Sequence, residues 1–478
     1  MPRIKPGSGR FSSSNSNSVP RNQPEPISFV RAAATFRDGR TTPRAFLEQC
    51  LAAVKQHDKS IHAFVTLDVR AARKAADAAS RRYKAARPLS LIDGCPIAVK
   101  DIIATADMPT QMNSPIYKGW RPKSDAACVV ALRRAGAVIV GKTVTTEFAI
   151  GRSGPTRNPF DVSRTPGGSS SGSAAAVACG MVPAALGTQT QGSVLRPAAY
   201  CGVVGYKPTH NALHTGGIHL LSATSDHLGV IAATVDDAWQ VAVQISAGIP
   251  SAGVGLLARA QESVPAPRQP RKLIRLYTRG WAETDADTRA AFDACIDRVK
   301  ARGIDVTSRN EDPEVAALEA QFEKDLDGHM DLVAYEMRWP FEDYLARYGP
   351  KMIGSKIREL VERGREMTPT DYESLLAMRH RLQHAAAAVL ARCDGFITLA
   401  CSGPAPKGLV FTGSRTFPSY ASWLGLPAFS LPLLSVNGLP VGVQLIGRAG
   451  EDSTLCSRVK WIVQPENPGT IASNGGTR

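Results

Sequence analysis

Short apolar runs alternate with longer charged stretches along this chain, and the alternation predicts an order of elements. Residues 28–56 read as a helix pair, with Thr42 as an N-cap before Pro43 at the first helical position. A basic, alanine-rich helix is expected over 69–86, followed by a short apolar strand, Pro96-Ile97-Ala98-Val99, that ends in Lys100. A helix at 126–135 and a strand at 137–140 come next, then a loop rich in Pro, Asn and Gly from Pro155 to Gly168. Ser173–Cys179 reads as a short helix of small residues stopped by Gly180. Further strands are expected at 273–277, 395–399, 428–434 and 441–446, and long charged helices at 285–301, 313–346, 354–365 and 370–392. Strands alternating with helices predict an α/β fold with a mostly parallel or mixed sheet. Gly248–Pro270 reads as a linker, and no internal repeat is visible.

The 478 residues allow two to four domains of ordinary size or one large α/β domain. With 43% hydrophobic and 21% charged residues the composition is that of a globular protein, which excludes wholesale disorder and fibrous classes. Lys and Arg number 57 against 42 Asp and Glu, a formal charge of +15. That excess suits an anionic substrate or nucleic acid without deciding between them. Part of it sits in the first 24 residues, which hold four basic residues, six serines and no acid. They lack the apolar centre of a signal peptide and the amphipathic helix of an organellar presequence, so a flexible tail over residues 1–27 is expected. The stretch Ala174–Leu186 is interrupted by Gly180 and Pro183 and falls short of the roughly 18 apolar residues of a spanning helix, so no membrane span is expected. Nine scattered cysteines with no C-x-x-C spacing argue against a disulfide framework or a thiolate zinc site and favour reduced buried thiols in the cytoplasm.

The chemistry concentrates in Gly167-Gly-Ser-Ser-Ser-Gly-Ser173 and Gly187-Thr-Gln-Thr-Gln-Gly-Ser193. Gly168-x-Ser170-x-Gly172 matches a nucleophile elbow, but such an elbow follows a buried strand, and here a polar, proline-broken segment precedes it. Gly187-x4-Gly192-Ser193 lacks the lysine of a phosphate-binding loop. Plain flexible loops do not account for two such segments flanking a helix of small residues. Lys100 ends an apolar run, where a lysine is ordinarily solvated; drawn into a pocket, it would have a lowered pKa and could act as a base.

With these segments in view the chain resembles the amidase signature family. Gly94-Cys-Pro-Ile-Ala-Val-Lys-Asp101 is similar to its lysine motif, Gly167–Ala176 to its Gly-Gly-Ser-Ser-x-Gly core, Gly187–Pro197 and Gly202–Thr209 to its nucleophile block, and Gly438–Gly447 to its C-terminal strand. The likeness runs over about residues 28–465. It implies a single large domain over 28–470, with a central mixed β-sheet covered by helices, a signature core at about 90–235 and a helical substrate-entrance region at about 310–392. It also implies a Ser–cisSer–Lys triad of Ser193, Ser169 and Lys100, in which neutral Lys100 draws a proton from nucleophilic Ser193 through Ser169, and Ser169 returns it to the leaving amine. The family's oxyanion hole falls on the backbone N–H groups of Thr190, Gln191, Gly192 and Ser193, and no metal or organic cofactor is implied. Two departures stand out. The family's common Asp-Thr-Gly-Gly-Ser-Ile-Arg is here Gln189-Thr-Gln191-Gly-Ser193-Val-Leu195, followed by Arg196. An acid and an arginine are lost together, which leaves no lone buried charge. Gln191 adds a side chain beside the oxyanion hole and puts the substrate in question.

The expected activity is therefore hydrolysis of a small carboxamide through an acyl-enzyme, with Arg196, Gln191 and Ser170 as candidate substrate-binding residues. Arg196 either reaches a substrate carboxylate or pairs with a neighbouring carboxylate and only holds its loop. His210, His214, His219 and His227 read mostly as surface, with pocket lining as the second reading and a metal site as the third; His380 and His384 read as a solvated helix face. The rival enzyme is the glutaminase (A-type) subunit of a tRNA amidotransferase, whose usual nucleophile block carries the residues lost here. A basic nucleic-acid-binding protein is the rival from another class, disfavoured by 6% aromatic content and dispersed charge. A small-molecule amide is the expected partner, with neither nucleic acid nor membrane, and a homodimer is left open.

Overall fold

The computed structural model describes residues 24–249 and 263–464. Among them eleven strands form one mixed sheet: β1 (Phe64–Leu67), β2 (Pro96–Lys100), β3 (Val138–Thr143), β4 (Ala184–Gln189), β5 (Val204–Lys207), β6 (His227–Ala232), β7 (Lys272–Arg275), β8 (Asp305–Thr307), β9 (Phe396–Leu399), β10 (Ala428–Val436) and β11 (Leu439–Ile446). Their spatial order is β1-β3-β2-β4-β6-β5-β10-β11-β9-β7-β8. The pairs β3/β2, β2/β4, β9/β7 and β7/β8 are parallel, and the remaining neighbours are antiparallel. Helices cover the sheet, so the described residues form the α/β fold expected from the pattern, as the single domain that the family resemblance implied. Most of the expected tail, the centre of the expected linker and residues 465–470 lie outside the described residues.

The central strands β2 and β4 are buried at every position, as continuous apolar runs in a covered sheet should be. They run parallel with Val99 opposite Leu186, so their carboxyl ends, and with them Lys100 and Thr188, emerge side by side. One layer above lies the helix Ser171–Ala178, in which every residue is buried. Such a helix has no solvated stripe, and its small side chains let the backbones approach closely. Gly172 shows how closely: a Cβ there would stand 2.2 Å from Ala63 O and 2.5 Å from Val144 N. Ser173 fits the same space because its hydroxyl donates to Leu186 O at 2.9 Å and bonds Thr143 Oγ1 at 2.8 Å.

The helix pair at the amino end is present as Phe29–Arg37 and Pro43–Ile61, with the Thr42 hydroxyl accepting from Ala45 N at 3.1 Å. The expected single helix over 313–346 is two, Pro313–Glu336 and Arg338–Tyr348, with Trp339 non-helical at φ −91°, ψ 126°. Pro340 is the physical reason, because it pushes the residue before it out of the helical region. Strand β6 and the helix Val235–Gly248 were not apparent in the sequence. Thr234 caps that helix, its hydroxyl accepting from Asp237 N at 3.1 Å. All nine cysteines are free and buried. No helix among the described residues is long and apolar enough to cross a membrane.

Gly172→Ala should lower the thermal midpoint of unfolding and cost about 1–3 kcal/mol or more in a denaturant titration, because the added methyl meets backbone on two sides. An unchanged midpoint would show that the helix can lift off the sheet without loss.

Candidate active site

Lys100 ends β2 with none of its surface exposed, and it has no carboxylate in salt-bridge contact among the described residues. Its Nζ lies 2.7 Å from Ser169 Oγ, 2.8 Å from Thr188 Oγ1 and 3.3 Å from Thr188 O. Burial holds the amine well below its ordinary value of 10.5, against the pull of the Asp226 carboxylate. A neutral amine has two N–H donors and one lone pair. The two oxygens of Thr188 match the donors, and the lone pair is then free to take a hydrogen bond from the Ser169 hydroxyl.

Ser169 follows a cis peptide bond to Gly168. The carbonyl of Gly168 accepts from Arg196 Nη2 at 2.6 Å, and Arg196 Nη1 donates to Gly413 O at 2.8 Å. Arg196, in the short helix Leu195–Tyr200, therefore ties two loops to that helix through their backbone carbonyls. Burial lowers its guanidinium to about 10, which leaves it charged at neutral pH. Neither sequence expectation describes these contacts: its terminal nitrogens are engaged with carbonyls and with Thr412 Oγ1, and no neighbouring carboxylate among the described residues pairs with it.

Ser193 closes the turn Thr190–Ser193 beyond β4 and lines the same cavity as Ser169. The two segments are joined where Ser170 N–H donates to Ser193 O at 3.2 Å. Ser170 was expected to touch substrate. It is instead fully buried behind the cavity wall, with its hydroxyl accepting from Thr188 N and donating to Thr188 O, each at 3.3 Å. The backbone N–H groups of Gln191, Gly192 and Ser193 make no hydrogen bond among the described residues, so this turn presents a row of free donors beside the Ser193 hydroxyl.

The side chains of Gln189, Ser422 and Asp226 hold that turn. Gln189 Oε1 accepts from Val194 N at 2.9 Å and Leu195 N at 3.0 Å, while its Nε2 donates to Ser422 Oγ at 2.9 Å. Ser422 in turn donates to Gln191 O at 3.1 Å. Thr190 donates to Asp226 Oδ1 at 2.5 Å, and Asp226 Oδ2 accepts from Leu221 N at 2.6 Å. Burial raises the Asp226 carboxyl, opposed by these donors and by Lys100. Thr188, Asp226, Ser422 and Gly413 were missed in the sequence. Only Thr188 stands inside a motif; Asp226 lies just before β6, and Ser422, in the short helix Ser419–Trp423, and Gly413, in a loop, come from more than two hundred residues away.

The cavity holds about 500 Å³ and is lined by Ser169, the turn Thr190–Ser193 and Arg196, with Met330, Val333 and Lys356 from the 310–392 region and Phe411 and Arg415 from a later loop. The histidine cluster is not part of it. His227 begins β6 fully enclosed, and burial pushes its imidazole well below 6.5. Its ring meets His210 edge-on at 5.0 Å. His219 packs among Tyr117, Phe148, Phe341 and Tyr344. No group of three or more His, Cys, Asp or Glu placed to hold a metal ion occurs among the described residues. His380 and His384 lie on an exposed helix face, as expected.

Comparison with known proteins agrees with this geometry. The family model described as Amidase matches residues 45–456. The A-type subunit of the glutamyl-tRNA(Gln) amidotransferase of Anaeromyxobacter sp. (strain K) is 32% identical over 462 residues, covering 88% of this chain and 92% of that protein. A crystal structure of an amidase superposes with a TM-score of 0.79 at 30% identity, covering 91% of this chain and 99% of the other. A peptide amidase solved with the competitive inhibitor chymostatin superposes with a TM-score of 0.75 at 25% identity, covering 91% and 96%.

Because Arg196 grips the carbonyl that precedes Ser169, Arg196→Gln should depress kcat on charged and neutral amides to a similar degree and lower the melting temperature. A loss confined to carboxylated amides, with unchanged melting, would place the guanidinium on the substrate instead.

Proposed function

The chain belongs to the amidase family, and we propose that it hydrolyses a small carboxamide to the carboxylate and ammonia through an acyl-enzyme on Ser193. The observation that carries this reading is the buried, uncompensated Lys100 amine 2.7 Å from Ser169 Oγ. A serine hydroxyl is a weak nucleophile until a base takes its proton. Neutral Lys100 accepts the Ser169 proton while Ser169 accepts that of Ser193, and Ser193 Oγ adds to the amide carbon. The carbonyl oxygen becomes an oxyanion within reach of the N–H groups of the Thr190–Ser193 turn. One such donor typically contributes about 2.7–4 kcal/mol of transition-state stabilisation. Ser169 then protonates the amide nitrogen, the C–N bond breaks and ammonia leaves. Water attacks the ester along the same relay, which returns the three residues to their starting state.

The glutaminase reading has the curated relatives in its favour, since the A-type amidotransferase protein described above covers 88% of this chain. Against it stand Gln189, Gln191 and Leu195 in the nucleophile block. The two readings part on substrate: free L-glutamine turned over by the isolated chain faster than simple aliphatic or aryl amides would favour the glutaminase.

Ser193→Ala should abolish ammonia release with an unchanged melting curve, and Lys100→Ala should cost about 10²–10⁴-fold in kcat. Near-normal turnover of Lys100→Ala would remove the lysine from the mechanism. The pH dependence follows from the direction of its shift. Activity requires the neutral amine, whose folded pKa lies below 10.5. kcat/KM should therefore climb as pH rises through that folded value and level off above it, and the climb should vanish in Lys100→Ala. A profile flat from pH 6 to 9 with chemistry rate-limiting would contradict a titrating lysine unless its midpoint lies below that window, which a measurement extended to pH 5 decides.

A further inference from the structure

The cavity over Ser193 is unbalanced in charge and in hydrogen-bonding capacity. Arg196, Lys356 and Arg415 line it against a single carboxylate, Glu283. Glu283 has a partner, accepting from Thr416 Oγ1 at 3.2 Å. Arg196 is held by backbone carbonyls. Lys356 and Arg415 are the two cations left facing the space. Lys356, in the helix Ser355–Arg365, makes no hydrogen bond or ion pair among the described residues. Lys356 is exposed by surface area, but the protein crowded around its amine and the neighbouring Arg196 and Arg415 charges lower the amine, and only Glu359 works the other way. Arg415 reaches Asp327 at 3.7 Å, but that carboxylate is 64% exposed and shared with Arg279, so the pair is weak. Arg415 Nη1 also donates to Gln191 Oε1 at 3.4 Å, which turns Gln191 Nε2 away; that amide nitrogen is buried with no acceptor among the described residues.

Cationic donors that outnumber the carboxylates around a ligand space favour an acceptor-only group there. A carboxylate is such a group, and it would also relieve the repulsion among the three cations. The walls also include Leu221, Met330 and Val333, which suit methylene groups. We propose, resting on the amidase reading above, that Lys356 and Arg415 bind a carboxylate on the substrate, so that the preferred substrates are monoamides of dicarboxylic acids with the amide end at Ser193. The basic surface then has a use, since the field of a positive cleft raises the local concentration of an anionic substrate.

The test uses the monoamides of malonic, succinic, glutaric and adipic acids, each against the neutral amide in which an isopropyl group replaces the carboxylate. The full chain should prefer at least one acid over its isopropyl partner by about tenfold or more in kcat/KM, mainly through KM. Lys356→Met and, independently, Arg415→Gln should each cut that preference about tenfold, and Lys356→Arg should keep most of it. In Ser193→Ala, calorimetric binding should show the same preference and the same loss on adding Lys356→Met. No preference at any chain length in either assay, or one that survives both Lys356→Met and Arg415→Gln, overturns the carboxylate site. Ammonia release from none of these amides, with the preference intact in binding, would overturn the amidase reading and leave the anion site standing.

Discussion

An ammonium group taken out of water loses several kcal/mol of solvation unless a counter-charge meets it. Lys100 is fully enclosed without one in contact, so the environment selects its neutral form, and the rest of the site depends on that selection. Two parallel neighbours, β2 and β4, bring the amine beside Thr188, whose two oxygens satisfy its N–H groups. A carboxylate in that position would hold the lysine cationic and remove the base. Asp226 is the nearest threat. The fold contains it by giving its oxygens to Thr190, Leu221 and Ser222, so its charge is bound by local donors rather than by Lys100.

Close packing does the positioning. Ser169 and Ser193 lie on separate segments, and side chains of ordinary size between them would hold those segments apart. The helix of Ser, Gly and Ala residues that follows Ser169 sits directly on the sheet, and Gly187 of β4 allows the same approach: a Cβ there would stand 2.8 Å from Ser170 Oγ. The small residues that looked like flexible loop in the sequence are thus packed tightly in the interior. Their composition reflects lack of space, and the Gly-Ser content is no sign of mobility here.

What could be read in the sequence was whatever is contiguous. Lys100 at the end of an apolar run, the two Gly-Ser segments, the strand–helix alternation and the Thr42-Pro43 start signal all lie within a few residues of the feature they announce. Contacts made across the fold could not be read. Arg196 finds its acceptors on Gly168 and Gly413, and Lys356 and Arg415 meet over Ser193 from separate elements. The charged helix over 313–346 looked continuous because its polarity is, although Pro340 was visible and should have broken it. The histidines between 210 and 227 read mostly as surface because the chain there looks like loop, yet the sheet encloses His227 and His219 packs against aromatic rings.

The replaced acid–arginine pair connects the catalytic turn to the choice of substrate. A carboxylate at position 189 could accept from the amides of Val194 and Leu195, but it would place a negative charge under the cavity floor and need a cation in return. Gln189 accepts the same two N–H bonds with its carbonyl and uses its other end to donate to Ser422, which braces Gln191 O. The turn keeps its shape without charge, and Leu195 joins the apolar core where an arginine would have required a partner. Removing one charge of each sign leaves the net charge unchanged, yet it does alter where the field comes from. With no anion at 189, the positive potential of Arg196, Lys356 and Arg415 above the turn meets one negative charge fewer from below, where Asp226 is held by Thr190, Leu221 and Ser222. Gln191, where a glycine would leave open space, accepts from Arg415 and so braces that guanidinium at the cavity wall. The same substitutions that take this chain away from the common form of its family thus favour an acceptor-rich, anionic ligand in the space over Ser193.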